Sequence, residues 1–171
     1  MDKPTRSDKY NLNYIMIKSL YFGLTVNIIG PGALLFVCYY LDINRQWSNP
    51  MVGYDNANIL FILIAVLSLI NFGWALWKKS MLQKTLMVQS EETLEEDLRD
   101  SLAIHLKPIF IVIALVAVYG VGYYFLTGRF REAAFFEIIS FVVFQFVRPR
   151  FGFIKKLIES QLTLLKTKNT A

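Results

Sequence analysis

Three stretches of this chain, residues 20–41, 59–77 and 109–126, contain no charged side chain. Each runs for about 18–22 residues, the length a helix needs to cross roughly 30 Å of hydrocarbon. No other feature narrows the fold as much. In lipid every backbone amide and carbonyl needs an internal partner, so such a run is a helix and not an open strand. A fourth run, residues 133–147, is shorter and is interrupted only by Glu137 and Gln145. Composition agrees: 55% of the 171 residues are hydrophobic and the mean hydropathy is +0.42. That is more apolar surface than a water-soluble domain of this size can hide. The expected fold class is all-α: a polytopic membrane protein with four transmembrane helices in two hairpins, a cytoplasmic helical connector and an amphipathic C-terminal helix.

Charge sets the expected orientation. Fifteen of the 18 Lys and Arg residues fall in 1–19, 78–108 and 148–171, leaving Arg45, Arg129 and Arg131 for the other side. The positive-inside rule then places both termini in the cytoplasm of a bacterial inner membrane. An even number of spans requires the same. The first run is too long for a signal-peptide core and lacks a small-residue cleavage site, so it is expected to act as an uncleaved anchor. The external loops would cover about 42–58 and 127–132. Trp47, Tyr54, Trp74 and Trp77 fall near the expected boundaries, a depth that amphipathic rings favour.

Five segments follow: a mobile cytoplasmic N-terminus (1–13), a first transmembrane hairpin (14–77), a cytoplasmic connector (78–107), a second hairpin (108–147) and a basic amphipathic tail (148–171). The two halves show no sequence repeat. The connector begins basic (KKSMLQK) and turns acidic (EETLEEDLRD). Ser90 is placed to cap a helix with Glu91 and Glu92 in its first turn. Leu94, Leu98 and Leu102 recur every four residues and form one apolar stripe. Pro108 is expected to break that helix before the third span. The stripe is too narrow to fold alone, so it must lie on the membrane, on the C-terminal helix or on another protein. Its acidic setting argues against anionic lipid. In the tail, Phe151, Ile154, Leu157, Ile158, Leu162 and Leu165 have helical spacing, with Lys155, Lys156 and Lys166 among them. Such a helix suits an anionic lipid surface or the acidic connector.

Polar side chains inside apolar helices are the natural candidates for function. Glu137 falls about 6 Å below the outer edge of the fourth run, at the depth of Tyr119 and Tyr123. Those phenols share a helix face and are expected to meet the carboxylate. Ala133 and Ala134, one turn earlier, allow close helix approach. Asn27, Asn71 and Gln145 are further candidates for hydrogen bonds across the bundle. Gly30, Pro31 and Gly32 mark a kink, because Pro31 removes a helix hydrogen bond and the glycines permit a bend. Helix–helix contact is the preferred role for these groups over an ion pathway, since a relay needs more than one ionisable station.

Enzyme chemistry has little support. His105 is the only histidine and Cys38 the only cysteine, so no two-histidine zinc site and no intrachain disulfide can form. No catalytic triad, phosphate loop or nucleotide fingerprint stands out. The acidic pairs Glu91–Glu92 and Glu95–Glu96 read as a solvated face. Basic and aromatic residues do not interleave as nucleic-acid binding requires. No cofactor is expected, and the net charge of +5 is ascribed to membrane flanks.

Two stretches resemble a known family. LSLINFGWALWKK (67–79) places Asn71 before a basic exit, a polar connector follows, and IISFVVFQFV (138–147) carries Gln145. This pattern resembles the ATP synthase subunit I family, four-helix accessory proteins of the bacterial rotary ATP synthase. The likeness covers about the last two-thirds of the chain. It departs where Lys107–Pro108 stands in place of an arginine leading the third helix, and in its long connector and tail. The resemblance implies an accessory or assembly role for the rotor ring or membrane sector, with Asn71 and Gln145 as contact residues. The expected function is thus a non-enzymatic scaffold in the lipid bilayer, bound to other membrane subunits or paired with itself, and without nucleic acid. The rivals are a small ion or proton transporter or channel subunit using Glu137, and a lipid-carrier flippase.

Overall fold

The computed structural model describes residues 9–44 and 51–170. The expected interfacial Trp47 and most of the expected mobile N-terminus lie outside the described residues. The chain forms α1 (Leu12–Leu24), a π turn (Thr25–Ile29), α2 (Gly30–Ile43), α3 (Tyr54–Met81), a 3-10 turn (Leu82–Lys84), α4 (Leu94–Thr127), α5 (Phe130–Val147) and α6 (Phe151–Thr170). Among the described residues there is no strand. Three continuous rods are long and apolar enough to cross a membrane: Leu12–Ile43, Tyr54–Lys84 and Leu94–Thr127. Much of their outer surface is apolar, including Phe36, Ile62, Leu69 and Ile70, each more than 60% exposed. α5 has 18 residues and carries Arg131, Glu132 and Glu137.

Helices that are neighbours in sequence are not all neighbours in packing. α4 is the hub, with α1, α3 and α5 all laid against it, whereas α1 and α3 scarcely touch. The expected first hairpin is therefore not a packed unit, because α4 fills the space between its two arms. The second pair does form a tight antiparallel hairpin. Gly128 turns it with φ 68°, a left-handed cap whose amide donates to Tyr124 O at 2.7 Å. That conformation suits glycine. About two turns inward along α4, a Cβ on Gly120 would stand 2.8 Å from Ala133 O, so the two backbones touch where Ala133 was expected to permit it.

Pro108 does not break the helix. α4 continues through it for 34 residues, about 51 Å at 1.5 Å per residue. The ring and its unpartnered turn face outward, since Ile104 and Pro108 are both exposed. Leu106, Ile109 and Phe110 are fully buried and hold the helix in line. The helix start also differs from expectation. Thr93, not Ser90, is the cap. The Asp97 carboxylate accepts both the Gln89 amide and the Thr93 hydroxyl at 2.9 Å. Asp97 gathers the turn that Ser90 alone was expected to organise.

The end of the molecule that carries α6 is a compact core. Leu94, Leu98 and Leu102 are 0% exposed, as are Ile154, Leu157 and Ile158. The leucine stripe is therefore no free docking surface; it is covered by α1, the 85–88 segment and the apolar face of α6. That face is turned inward and not toward lipid. Gln161 locks the arrangement. It accepts from Met87 N at 2.7 Å and donates to Thr85 O at 2.9 Å. The start of α1 clamps the acidic turns of α4 through Asn11 N to Glu95 Oε1 at 2.8 Å and Lys18 to Asp100 at 3.0 Å. Arg99 also reaches the Tyr14 hydroxyl and stacks on its ring.

Candidate functional site

The polar candidates divide into those that find partners in the chain and those that do not. Tyr123 OH points to Ala57 O at 3.4 Å, and Tyr119 OH receives Asn71 Nδ2 at 3.5 Å. Both phenols face α3. They do not meet Glu137, which lies on a different side of α5, facing α2. The expected carboxylate–phenol pair is thus replaced by two links from α4 to α3. Periodicity identified the face that the tyrosines share but not the neighbour that face would meet. Gln145 is half-buried, and its side chain makes no hydrogen bond among the described residues; its carbonyl accepts from Arg150 at 2.9 Å. It does not reach Asn71. Ser140, which was not singled out in the sequence, donates to Ile113 O at 2.9 Å and ties α5 to α4. A lone serine in an apolar run gives little warning of such a role.

What remains is a groove between α2 and α5. It has a volume of about 230 Å³ and is lined by Asn27, Pro31, Gly32, Leu35, Glu137 and Phe141, among others. Its origin lies in the GPG sequence. Pro31 has no amide hydrogen, and its ring would collide with the carbonyl one turn back. The chain absorbs this with the π turn, in which Gly30 N donates to Thr25 O. π turns widen a helix locally and leave backbone oxygen underused. The expected kink at Gly30, Pro31 and Gly32 thus takes the form of one wide turn. Gly32 adds space, since a Cβ there would meet nothing within 4 Å.

Two polar side chains enter this groove, each with one unpaired oxygen. Asn27 is 2% exposed and Glu137 7% exposed. Asn27 Oδ1 and Glu137 Oε1 are buried with no hydrogen-bond partner. The orientation of Asn27 is fixed, because Nδ2 donates to Gly23 O at 3.2 Å. Flipping the amide would set two acceptors face to face. Each buried acceptor left unpaired costs about 1–3 kcal/mol. Gly23 holds this region tight, since a Cβ there would lie 2.9 Å from the rings of Phe110 and Phe144. The groove can therefore accept hydrogen bonds from an occupant that enters between α2 and α5. Among the described residues no cluster of three or more His, Cys, Asp or Glu could hold a metal ion. Comparison with protein-family models, curated proteins and solved structures gives no match to this chain.

Proposed function

We propose that this protein is a non-enzymatic accessory or assembly factor of a bacterial inner membrane, crossing it four times with both termini in the cytoplasm. The α2–α5 groove is its recognition site. It receives a hydrogen-bond donor from a transmembrane helix of a larger complex. α5 serves as the fourth span, since 18 residues give about 27 Å. Arg131 and Glu132 then lie at the outer surface and leave Glu137 as the one ionisable position of α5 within the hydrocarbon. The excess length of α4 carries its acidic turns into the cytoplasm.

The observation that carries this reading is the pair of unpaired acceptors, Asn27 Oδ1 and Glu137 Oε1, in one groove. Lipid tails offer no donors, and interhelical polar contacts are a principal adhesive between membrane helices. A helix bearing a serine, amide or basic side chain supplies what the groove lacks. The resemblance to the ATP synthase subunit I family suggests the membrane sector of the rotary ATP synthase as the complex. In that case the half-buried Gln145 is the more available of its two contact residues, because Asn71 is engaged by Tyr119.

Glu137→Leu tests the proposal by removing one acceptor at similar volume. Purified from its own cells in gentle detergent, the variant should lose co-purifying membrane subunits by roughly tenfold, the effect of about 1.4 kcal/mol, while its own yield holds. Wild-type protein in liposomes should pass no ions. Ion flux that disappears in the variant while the complex stays intact would replace this reading with a transport role.

A further inference from the structure

We propose that the corner between α5 and α6 binds the phosphate of an anionic phospholipid. The site is a cleft of about 350 Å³ lined by Met16, Leu20, Arg148, Pro149, Arg150 and Phe151. It combines the two surfaces a phospholipid needs. Met16, Leu20 and Phe151 are apolar, and Phe151 is 51% exposed, so they offer a wall for the upper acyl chain. Arg148 and Arg150 offer guanidinium groups, whose planar donors match phosphate oxygens.

The cations of this corner lack an acidic counterpart. Among the described residues the ion pairs are Lys18–Asp100, Arg99–Asp100 and Arg129–Glu132, none of them here. Arg150 donates to Gln145 O at 2.9 Å, and Lys79 donates to Phe146 O at 2.8 Å. Those contacts satisfy the last carbonyls of α5 without neutralising any charge. Arg150 stands close enough to Lys79 to repel it. Arg148 is half-buried and makes no side-chain hydrogen bond or ion pair among the described residues. α6 also begins at this corner with Phe151, and the start of a helix favours an anion. Three like charges held at the end of an apolar bundle favour a bound anion. Anionic lipid headgroups are the anions concentrated at that depth. The inference rests on the multi-pass membrane reading but not on the partner-helix role of the α2–α5 groove.

Native mass spectrometry of the detergent-purified protein, titrated with phosphatidylglycerol, phosphatidylcholine or inorganic phosphate, tests it. Wild type should retain phosphatidylglycerol in preference to phosphatidylcholine. Arg148→Gln combined with Arg150→Gln should weaken that binding roughly 30-fold, as expected for two basic residues near a charged surface. Replacing both with lysine should recover part of the affinity lost in the glutamine variant, since the charge returns without the planar fork, which guards against simple misfolding of the glutamine variant. Lys168→Gln, at the far end of α6, should change nothing. Equal binding of the two lipids, or undiminished phosphatidylglycerol binding by the glutamine variant, would overturn the proposal. Inorganic phosphate competing at the same concentration as the lipid would also overturn it, by assigning the site to a soluble anion.

Discussion

The α6 end and the α2–α5 groove handle buried polar groups in opposite ways. At the α6 end, Gln161 is 0% exposed and both of its amide atoms are used, on Met87 and Thr85. In the groove, Asn27 and Glu137 are almost as deeply buried, yet each leaves an oxygen without a donor. The first region holds the chain together by itself. The second carries an energetic deficit that an external donor can remove. Burial alone therefore does not distinguish these two regions; the balance between donors and acceptors does.

The contrast can be broken most forcefully at Leu98. Its replacement by alanine should destabilise the chain by about 2–5 kcal/mol, read as earlier thermal unfolding in detergent together with protease cleavage around residues 85–93. A loss under about 1 kcal/mol would mean that the stripe is not sealed by α6. Gln161→Ala strands the Met87 amide and the Thr85 carbonyl. It should lower stability by about 1–3 kcal/mol in the same assay. Glu137→Leu should act in the opposite direction and raise the stability of the isolated chain by about 1 kcal/mol. A strong loss there would reveal a donor for the carboxylate within the chain and erase the contrast.

The smallest effect belongs to the cluster of Lys18, Arg99 and Asp100 where α1 meets α4. The Arg99 guanidinium and, after it, the Lys18 ammonium hold the Asp100 carboxyl below its usual 3.8. A depressed carboxyl stabilises the folded form above its unfolded value. That contribution fades as pH falls below 3.8 and through the lower folded value. Between pH 7 and pH 3 the wild-type melting temperature should therefore show a slight decline that Asp100→Asn lacks.

Much of this architecture was legible in the sequence because hydropathy and helical spacing report burial directly. The three long runs, the leucine stripe of α4 and the apolar face of α6 all appear as buried or membrane-length features. Which surfaces meet was less legible. Tyr119 and Tyr123 share a face, but spacing within one helix cannot say whether that face meets α3 or α5. Pro108 was misleading because a proline rule describes an isolated helix, whereas Leu106, Ile109 and Phe110 are clamped on either side of it. The helix cap is Thr93, three residues past Ser90, whose hydroxyl accepts the Thr93 amide at 3.2 Å while Asp97 accepts from Gln89 and Thr93. For the groove, the sequence named Asn27, Pro31 and Glu137 separately. Only the hub position of α4 brings them to one opening.

The wide turn at Thr25–Ile29 also acts as a phase corrector. At 100° per residue, an uninterrupted helix from Ile15 to Cys38 would leave the two side chains about 140° apart. The extra residue of a π turn removes one such step and brings them within about 40°. Both are buried, at 0% and 1% exposure. The proline thus obliges the rod to skip a beat, and the skip keeps both halves of one long helix aimed at α4. Rewinding the turn as ordinary α-helix with every residue kept would swing Cys38 and everything after it by about 100° away from α4, with the upper wall of the groove dismantled by rotation alone.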